Sequence, residues 1–317
     1  MSRSSPRAAV GRRVDVKVPA TSANLGPGFD SLGLALSLYS EVTATVRDQP
    51  GATVVIHGVG EGELPTDESN LIVRTIATVF ESVGRELPGL DVVATNSIPH
   101  GRGLGSSGAA IVSGVMAAKG LLDGDVDFDS QQLLAIASEL EGHPDNVAPA
   151  LFGGMTIAWS ADDGPQFKKL TVHRGVSPLV CVPEQTMSTE VARGLRPESV
   201  SHEDAAFNVS RSALLVAALV QSPELLFAAT EDRLHQSYRA VAMPETESLL
   251  AALRDAGHAA VVSGSGPSVL VLCSDPAERL AAAELVAGHG RTPWQSLMLA
   301  VDFKGATVNV LPVDDSD

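Results

Sequence analysis

The stretch Pro99-His-Gly-Arg-Gly-Leu-Gly-Ser-Ser-Gly-Ala-Ala-Ile-Val-Ser-Gly-Val-Met-Ala-Ala-Lys-Gly-Leu-Leu122 decides how the chain is organised. Its first half is a glycine loop, in which the backbone can turn its N–H groups inward without Cβ clashes. The apolar, small-residue run from Ala109 to Leu122 predicts a buried helix. A flexible loop that enters a helix offers unsatisfied N–H groups and a partial positive charge. The stretch therefore predicts an anion site of the kind that cradles phosphate.

Two standard nucleotide-binding motifs do not fit this stretch. Gly103-Leu-Gly-Ser-Ser-Gly108 matches the dinucleotide pattern G-x-G-x-x-G, but that pattern follows directly on an apolar strand, whereas residues 96–100 intervene here. The P-loop pattern is absent from the sequence because no glycine is followed by Lys and then Ser or Thr. For the loop alone, a simple chain reversal at a helix start stays open as the alternative.

The charge balance limits the partners of the chain. Lys and Arg total 22 against 38 Asp and Glu, which gives a net charge of −16 over 317 residues. We expect so acidic a chain to bind neither nucleic acid nor an anionic membrane as a general partner. An anionic ligand must then be held by backbone N–H groups and a few well-placed cations.

The cysteines and the N-terminal sequence predict a cytoplasmic protein. Cys181 and Cys273 are too few for a disulfide framework and lie in apolar runs, which indicates buried, reduced thiols. The arginines near the N-terminus precede no apolar stretch long enough for a signal peptide. The longest apolar run, residues 213–220, is far too short to span a bilayer.

The rest of the chain predicts a mixed α+β protein, without regular βαβ alternation. Residues 1–13 resemble a loose tail, and a strand at 14–18 is expected to stop at Pro19. Ser130 is expected to cap a helix that ends at Gly142. Three more polar loops accompany the glycine loop, at residues 19–30, 143–146 and 263–268. The turn formers at 161–165 are the best boundary candidate.

The four loops together resemble the GHMP family of small-molecule kinases over residues 14–303. Pro99-x-x-x-Gly-Leu-Gly-Ser-Ser107 resembles the family's ATP phosphate loop, and Ser263-Gly-Ser-Gly-Pro-Ser268 resembles its glycine-rich C-terminal motif. Thr21-Ser-Ala-Asn-Leu-Gly-Pro-Gly-Phe-Asp30 and Glu141-Gly-His-Pro-Asp-Asn-Val-Ala-Pro149 resemble the branch that acts on the amino acid L-homoserine. Gly108 departs from the Ala that is common there, at a first helical turn where glycine costs little.

The resemblance implies a two-domain α+β fold with the active site in the cleft. The first domain, residues 1–165, would be ribosomal-S5-like and carry the ATP phosphate loop. The second, residues 166–317, would be ferredoxin-like. A homodimer is also implied, because homodimers are common in this branch.

The resemblance assigns ATP and Mg²⁺ to the glycine stretch. The nucleotide-binding residues would be Pro99, His100, Gly101, Arg102, Gly103, Leu104, Gly105, Ser106, Ser107, Gly108 and Ala109. Mg²⁺, a hard cation that prefers oxygen ligands, would be held by Ser107 and a carboxylate at a helix end. The family alignment points to Glu139, and Glu141 stays open as the alternative.

The resemblance also assigns the acceptor substrate, L-homoserine. Asp30 would contact its ammonium group, and Arg193 and Arg239 would clamp its carboxylate, since a planar guanidinium can bind two oxygens. Asn24 and Asn146 would orient its hydroxyl group. The alternatives are turn capping for Asn and Asp and a solvated helix face for the arginines.

Asn146, Asp145 and Arg193 are the residues to which the resemblance gives a catalytic role. Asp145 aligns with a carboxylate proposed as the base in mevalonate kinase, whereas the homoserine branch is often described as working through orientation and transition-state stabilisation. We assign no role to His143, His202 and His235.

The implied reaction is transfer of the γ-phosphoryl group of ATP to the hydroxyl of L-homoserine. The products would be O-phospho-L-homoserine and ADP, within threonine biosynthesis. Another GHMP kinase that acts on a different small alcohol, or a non-catalytic paralogue that binds nucleotide or metabolite, would share the loops. The residues expected for catalysis argue against the non-catalytic paralogue, because all of them are present: Gly103, Gly105, Ser107, Glu139 and Asp145.

Overall fold

Two β-sheets with helices packed on them form the fold in the computed structural model, which describes residues 9–290 and 292–311. The strands within this part are β1 (Arg13–Ala23), β2 (Leu32–Arg47), β3 (Ala52–Gly58), β4 (Gly89–Asn96), β5 (Met155–Ala161), β6 (Gly164–Leu170), β7 (Ser177–Pro183), β8 (Ala260–Val262), β9 (Val269–Cys273), β10 (Trp294–Met298) and β11 (Thr307–Leu311). The helices are α1 (Leu71–Ser82), α2 (Ser106–Leu121), α3 (Ser130–Glu141), α4 (Pro144–Phe152), α5 (Thr189–Gly194), α6 (His202–Val220), α7 (Leu226–Ala229), α8 (Gln236–Arg239), α9 (Pro244–Asp255) and α10 (Pro276–Gly288). Most of the expected tail, residues 1–8, lies outside the described residues.

The first sheet has the strand order β11-β1-β2-β4-β3, with β5 paired to β2 and β6 to β5. Every pair is antiparallel except β3 with β4, which α1 connects. Helix α2 lies against this sheet and is buried along most of its length, as predicted. Its glycines allow close packing: a Cβ on Gly114 would lie 2.5 Å from Thr75, and one on Gly120 would lie 2.7 Å from Val308.

The second sheet has the order β10-β7-β9-β8 and is antiparallel throughout. Helices α9 and α10 pack against it around a second apolar cluster that includes Leu179, Leu253, Val271 and Ala282. Both cysteines lie in this sheet as free thiols, and burial raises the pKa of each to about 12. Neither thiol is therefore ionised near neutral pH.

Three local expectations were wrong. Strand β1 does not stop at Pro19 but continues to Ala23 after an irregularity in its register with β2. Asp129, not Ser130, caps α3, and it forms a capping box with Gln132. Residues 143–146 are not a free loop, because α4 begins at Pro144 with His143 as its N-cap.

The first sheet continues past the turn expected to separate the two halves. Residues 161–165 form the β5–β6 hairpin, so that β6 stays in the first sheet. The last strand, β11, also returns to that sheet and pairs with β1. The division at residue 165 remains a prediction, with residues 164–170 and 307–311 grouped with the first sheet.

No helix in the described part of the chain is long and apolar enough to cross a bilayer.

Candidate active site

The glycine loop is held between β1 and the 263–268 loop. Ser263 Oγ donates to the Gly103 carbonyl (2.7 Å), and the Thr21 N–H donates to the Leu104 carbonyl (3.1 Å). Gly103 and Gly105 have φ values of 70° and 68°, the left-handed region that favours glycine. A Cβ on Gly103 would lie 2.1 Å from the Ser263 carbonyl oxygen. These two positions therefore require glycine for both conformation and space.

The loop ends at the N-terminus of α2, where Gly105 is the N-cap and no side chain caps the helix. The first-turn N–H groups are therefore free to meet an anion. They border a cavity of about 170 Å³, the phosphate cavity. Its lining residues are Gly101, Gly103, Gly105, Ser106, Ser107, Glu141, Asn146, Met187, Ser188, Thr189, Gly264 and Ser265.

Two predicted nucleotide-binding residues turn their side chains away from this cavity. Arg102 donates to the carbonyls of Pro183 (2.8 Å), Glu184 (2.7 Å) and His100 (3.1 Å). Leu104 is packed in the apolar core with 1% exposure. Their contribution to the loop is the backbone, and the Arg102 side chain fixes the loop to the end of β7.

Ser107 meets Glu141, not Glu139. Ser107 Oγ donates to Glu141 Oε2 at 2.9 Å, and burial raises the pKa of the Glu141 carboxyl. The structure does not bring Glu139 to this site: its side chain is exposed, because two residues on a helix point about 200° apart. Hydroxyl and carboxylate oxygens suit Mg²⁺, which commonly binds through one or two carboxylates plus substrate phosphates. The pair therefore fits a magnesium ion.

The Asn24 side chain shapes its own loop. Asn24 Oδ1 accepts from the Asp30 N–H (2.9 Å), and Asn24 Nδ2 donates to the Gly264 carbonyl (2.8 Å). Asn24 and Asp30 have φ values of 69° and 52°, a region that Asn and Asp enter more readily than most residues. The turn-capping role and a place in the site coexist here, because both residues line the same cavity.

Two arginines pair with Asp30, and the sequence pointed to one of them. Arg193 Nη2 lies 3.3 Å from Asp30 Oδ1, and Arg196 Nη1 lies 3.5 Å from Asp30 Oδ2. Arg196 also lies over the Phe29 ring, 5.6 Å from its centroid. No motif in the sequence singled out Arg196, which lies just after the end of α5.

Arg239 is nearly buried, with 2% exposure. Its Nη1 donates to the Gly264 carbonyl (3.2 Å), and its Nε donates to the Ala192 carbonyl (3.3 Å). Burial lowers the pKa of its guanidinium, and nearby Asp30 opposes that shift. Arg239 is thus not on a solvated helix face but inside the site.

Asp145 and Asn146 face the same space from the first turn of α4. Asn146 Oδ1 accepts from Thr21 Oγ1 (2.9 Å), and Asp145 Oδ1 lies 2.6 Å from His143 Nδ1. This hydrogen bond is the main cause of a raised His143 pKa. His143, which the sequence left without a role, therefore enters the site beside Asp145.

These side chains border a second, smaller cavity, the acceptor cavity. Its lining residues are Ala23, Asn24, Asp30, His143, Asp145, Asn146, Thr189, Arg193, Arg239, Gly264 and Ser265. It shares Asn146, Thr189, Gly264 and Ser265 with the phosphate cavity. Every residue predicted to bind the acceptor thus lies in one place, next to the phosphate loop.

A third cavity, of about 390 Å³, also borders Ser106 and Ser107. Asn70, Arg74, Ile98 and His100 are among its lining residues. The sequence does not predict this cavity, because its walls come from β2, β3, α1, β4 and α2 without a continuous motif.

Comparison with known proteins identifies the family. The GHMP kinases N terminal domain matches residues 70–154, and GHMP kinases C terminal matches residues 214–290. A homoserine kinase of Leifsonia xyli subsp. xyli is 74% identical over 94% of this chain and 92% of its own length. The chain belongs to the homoserine kinase family.

Two further homoserine kinases agree with this assignment. One, from Clavibacter michiganensis subsp. michiganensis, is 70% identical over 96% of each chain. The crystal structure of homoserine kinase from Cytophaga hutchinsonii matches with a TM-score of 0.83 and 28% identity, over 98% of this chain and 100% of that one. The expected α+β GHMP kinase fold with N- and C-terminal domains is thereby confirmed.

Proposed function

We propose that this protein is an ATP-dependent kinase that phosphorylates the hydroxyl group of L-homoserine, with O-phospho-L-homoserine and ADP as products. The observation that carries the proposal is the acceptor cavity, where the carboxylate of Asp30 faces the guanidinium groups of Arg193 and Arg239. A zwitterionic amino acid needs both charges. The shared wall with the phosphate cavity supports this proposal, because a bound homoserine would have its side-chain hydroxyl near the transferred group.

The two ends of homoserine would replace contacts that the protein makes with itself. Asp30 would take the ammonium group in place of part of its pairing with Arg193 and Arg196. Arg193, released from Asp30, and Arg239 would then bind the carboxylate. Asn24 keeps Asp30 in place through its hydrogen bond to the Asp30 N–H.

ATP would lie across Ser106 and Ser107. The α2 N-terminus would hold its phosphates, and the cavity of about 390 Å³ has room for the nucleoside. Ser107 and Glu141 would hold Mg²⁺, which would neutralise phosphate charge when bound.

The chemical step would depend on orientation and charge. Asn146 would orient the acceptor hydroxyl, and Arg193 would supply positive charge to the transferring phosphoryl group. Asp145 is the carboxylate that could accept the hydroxyl proton, and His143 holds its Oδ1. Because Asp145 is buried in the first turn of α4, its carboxylate is kept in one position.

A coupled ADP-release assay tests the proposal. Homoserine, mevalonate, galactose and shikimate would be compared as acceptors at the same ATP concentration. We expect a clear preference for homoserine, and a preference for another alcohol would sink the proposal. Nucleotide binding without turnover of any acceptor would favour the non-catalytic paralogue instead.

The setting of the reaction is proposed on separate grounds. The two free, buried thiols suit a reducing compartment, so we place the enzyme in the cytoplasm, within threonine biosynthesis. The net charge of −16 leads us to expect no nucleic-acid or membrane partner. A homodimer stays a prediction, which light scattering on a sizing column would test.

A further inference from the structure

A buried histidine connects the two sides of the acceptor cavity. His235 is 0% exposed. Its Nε2 lies 2.8 Å from the Gly26 carbonyl oxygen, and its Nδ1 lies 3.1 Å from Arg239 Nη1. Phe29, from the same loop as Gly26, stacks on the imidazole with ring centroids 4.8 Å apart. His235 therefore touches both the loop that carries Asp30 and the guanidinium that faces it.

The partners of His235 dictate its protonation. A carbonyl oxygen only accepts, so Nε2 carries the hydrogen and donates it to Gly26. A guanidinium only donates, so Nδ1 must offer its lone pair to Arg239. The ring is thus the neutral Nε2–H tautomer. A second proton on Nδ1 would remove the acceptor and add a positive charge beside Arg239.

The surrounding charges agree with a neutral ring. Burial is the main cause that lowers the His235 pKa; Arg239 lowers it further, while Asp232 and Asp30 oppose the shift. Asp232 Oδ2 is 3.7 Å from Nε2, but that carboxylate accepts the N–H groups of Leu234, His235 and Gln236. Most of the acceptor positions of the Asp232 carboxylate are therefore occupied by backbone N–H groups at the start of α8.

The hydrogen bonds of Arg239 leave one nitrogen for a ligand. Nη1 donates to His235 and Gly264, and Nε donates to Ala192. In the part of the chain that the structure describes, these bonds do not use Nη2, and Arg239 lines the acceptor cavity. The guanidinium plane is therefore fixed by three acceptors, of which His235 Nδ1 is the only one from a side chain among the described residues.

We propose that His235 is a positioning residue that holds Arg239 so that Nη2 points at the carboxylate of the acceptor amino acid. This inference rests on the proposed function, because it assumes that Arg239 binds a carboxylate. Gly26 and Phe29 set the position of the imidazole, and the imidazole sets the rotation of the guanidinium. The Asn24–Asp30 loop and Arg239 are thereby connected through one imidazole ring.

Two substitutions separate the two hydrogen bonds of the ring. In His235→Gln the amide reaches the position of Nε2, so the donor to Gly26 is kept and the acceptor for Arg239 is lost. In His235→Asn the amide oxygen reaches the position of Nδ1, so the acceptor is kept and the donor is lost. We expect the Gln variant to raise the homoserine KM about 10-fold, as expected for a lost hydrogen bond to a charged group. The Asn variant should stay within about 3-fold of the wild type, since it keeps that bond.

A ligand without the carboxylate provides the control. 3-Aminopropan-1-ol lacks the carboxylate that Arg239 would bind, and ATP would bind elsewhere. The inhibition constant of 3-aminopropan-1-ol against homoserine and the KM for ATP should therefore change less than about 2-fold in either variant. An unchanged homoserine KM in the Gln variant would overturn the inference. So would an equal loss for homoserine and the amino alcohol, or no rescue by Asn, since either result would indicate a general structural role.

A measurement on the wild type covers the case in which the variants do not fold. Nitrogen-15 NMR of the imidazole should report the Nε2–H tautomer near neutral pH, with a shift of Nδ1 when homoserine is added. An Nδ1–H tautomer or an imidazolium would overturn the inference. Wild-type turnover of homoserine is measured first: without it the proposed function fails, whereas turnover with a homoserine KM insensitive to His235→Gln removes the inference alone.

Discussion

Ser107 Oγ and Glu141 Oε2 lie 2.9 Å apart, which joins the first turn of α2 to the last residue of α3. The contact places the one carboxylate of the phosphate cavity beside the N–H groups that would hold ATP. The contact also favours Glu141 over Glu139 as the carboxylate next to Ser107, a choice that the sequence left open. Glu139 lies on the exposed side of the same helix.

The first prediction compares these two acids. Glu141→Gln keeps a partner for Ser107 but removes the charge, so we expect kcat/KM to fall about 100-fold or more, in line with the several kcal/mol that a catalytic metal supplies. The Mg²⁺ concentration needed for half-maximal activity should rise as well. Glu139→Gln is the matched control and should behave like the wild type in a steady-state Mg²⁺ titration. Equal losses in both variants would contradict the assignment.

The second prediction concerns two glycines of the same loop. Gly105 has a φ of 68°, and a Cβ there would lie 2.0 Å from Thr21 Oγ1. Gly105→Ala should therefore cost more than the ~1–2 kcal/mol of a left-handed conformation, and ATP binding should weaken. In Gly108→Ala the new methyl meets nothing nearer than 3.5 Å, so a small gain in stability is expected, below the ~1 kcal/mol of a helix interior. Urea unfolding of both variants, with the KM for ATP, checks the pair.

Local rules predicted the elements around the site. The apolar run after the glycine loop is α2. Asn70 and Ser69 are both possible caps for α1 by residue type, and the Asn70 side chain caps it by accepting from the Ile72 N–H. The apolar pattern and the cap are both signals carried within a few residues, which is the range that pattern and capping rules cover. Pro144, a favourable first helical residue, was the missed signal for the helix that carries Asp145.

Contacts between distant residues were beyond such rules. The Asn24 side chain reaches the Gly264 carbonyl across 240 positions, and β11 returns to pair with β1. The second partner of Asp30, Arg196, and the inward turn of Glu141 depend on how α3 and the segment after α5 pack. A single sequence carries no record of those packing choices. The resemblance to a family supplied residue types for the site but not their hydrogen-bond partners.

The third prediction tests whether Arg102 binds phosphate or holds the loop. Its guanidinium donates to three carbonyls, those of His100, Pro183 and Glu184. Arg102→Met should therefore lower the free energy of unfolding by about 2 kcal/mol, because these carbonyls lose a charged donor. Arg13→Met is the control, since Arg13 makes an exposed ion pair with Asp15 that is worth little. A large rise in the KM for ATP at unchanged stability would instead assign Arg102 to the nucleotide.

The fourth prediction concerns how stability depends on pH through Tyr39. This residue of β2 forms a hydrogen bond with Asp302 in the segment between β10 and β11. Tyr39 OH donates to Asp302 Oδ2 at 2.8 Å, and Asp302 Oδ1 accepts the N–H groups of Lys304 and Gly305. Burial, together with Asp302, raises the pKa of Tyr39 to about 12. The folded protein therefore keeps the phenol neutral at pH values where the unfolded chain, with an ordinary pKa of about 10, ionises.

The sign of the pH dependence follows from this difference. The contribution of Tyr39 to stability is fully present below pH ~10, and it is lost as the pH rises through the folded pKa of about 12. Urea unfolding of the wild type and Tyr39→Phe should thus differ most below pH ~10 and converge above it. The late phase of tyrosinate absorbance should also disappear from the alkaline titration of the variant, which keeps Tyr238 as its remaining tyrosine. A stability difference that stays constant through this range would show that the Tyr39–Asp302 contact does not control the ionisation.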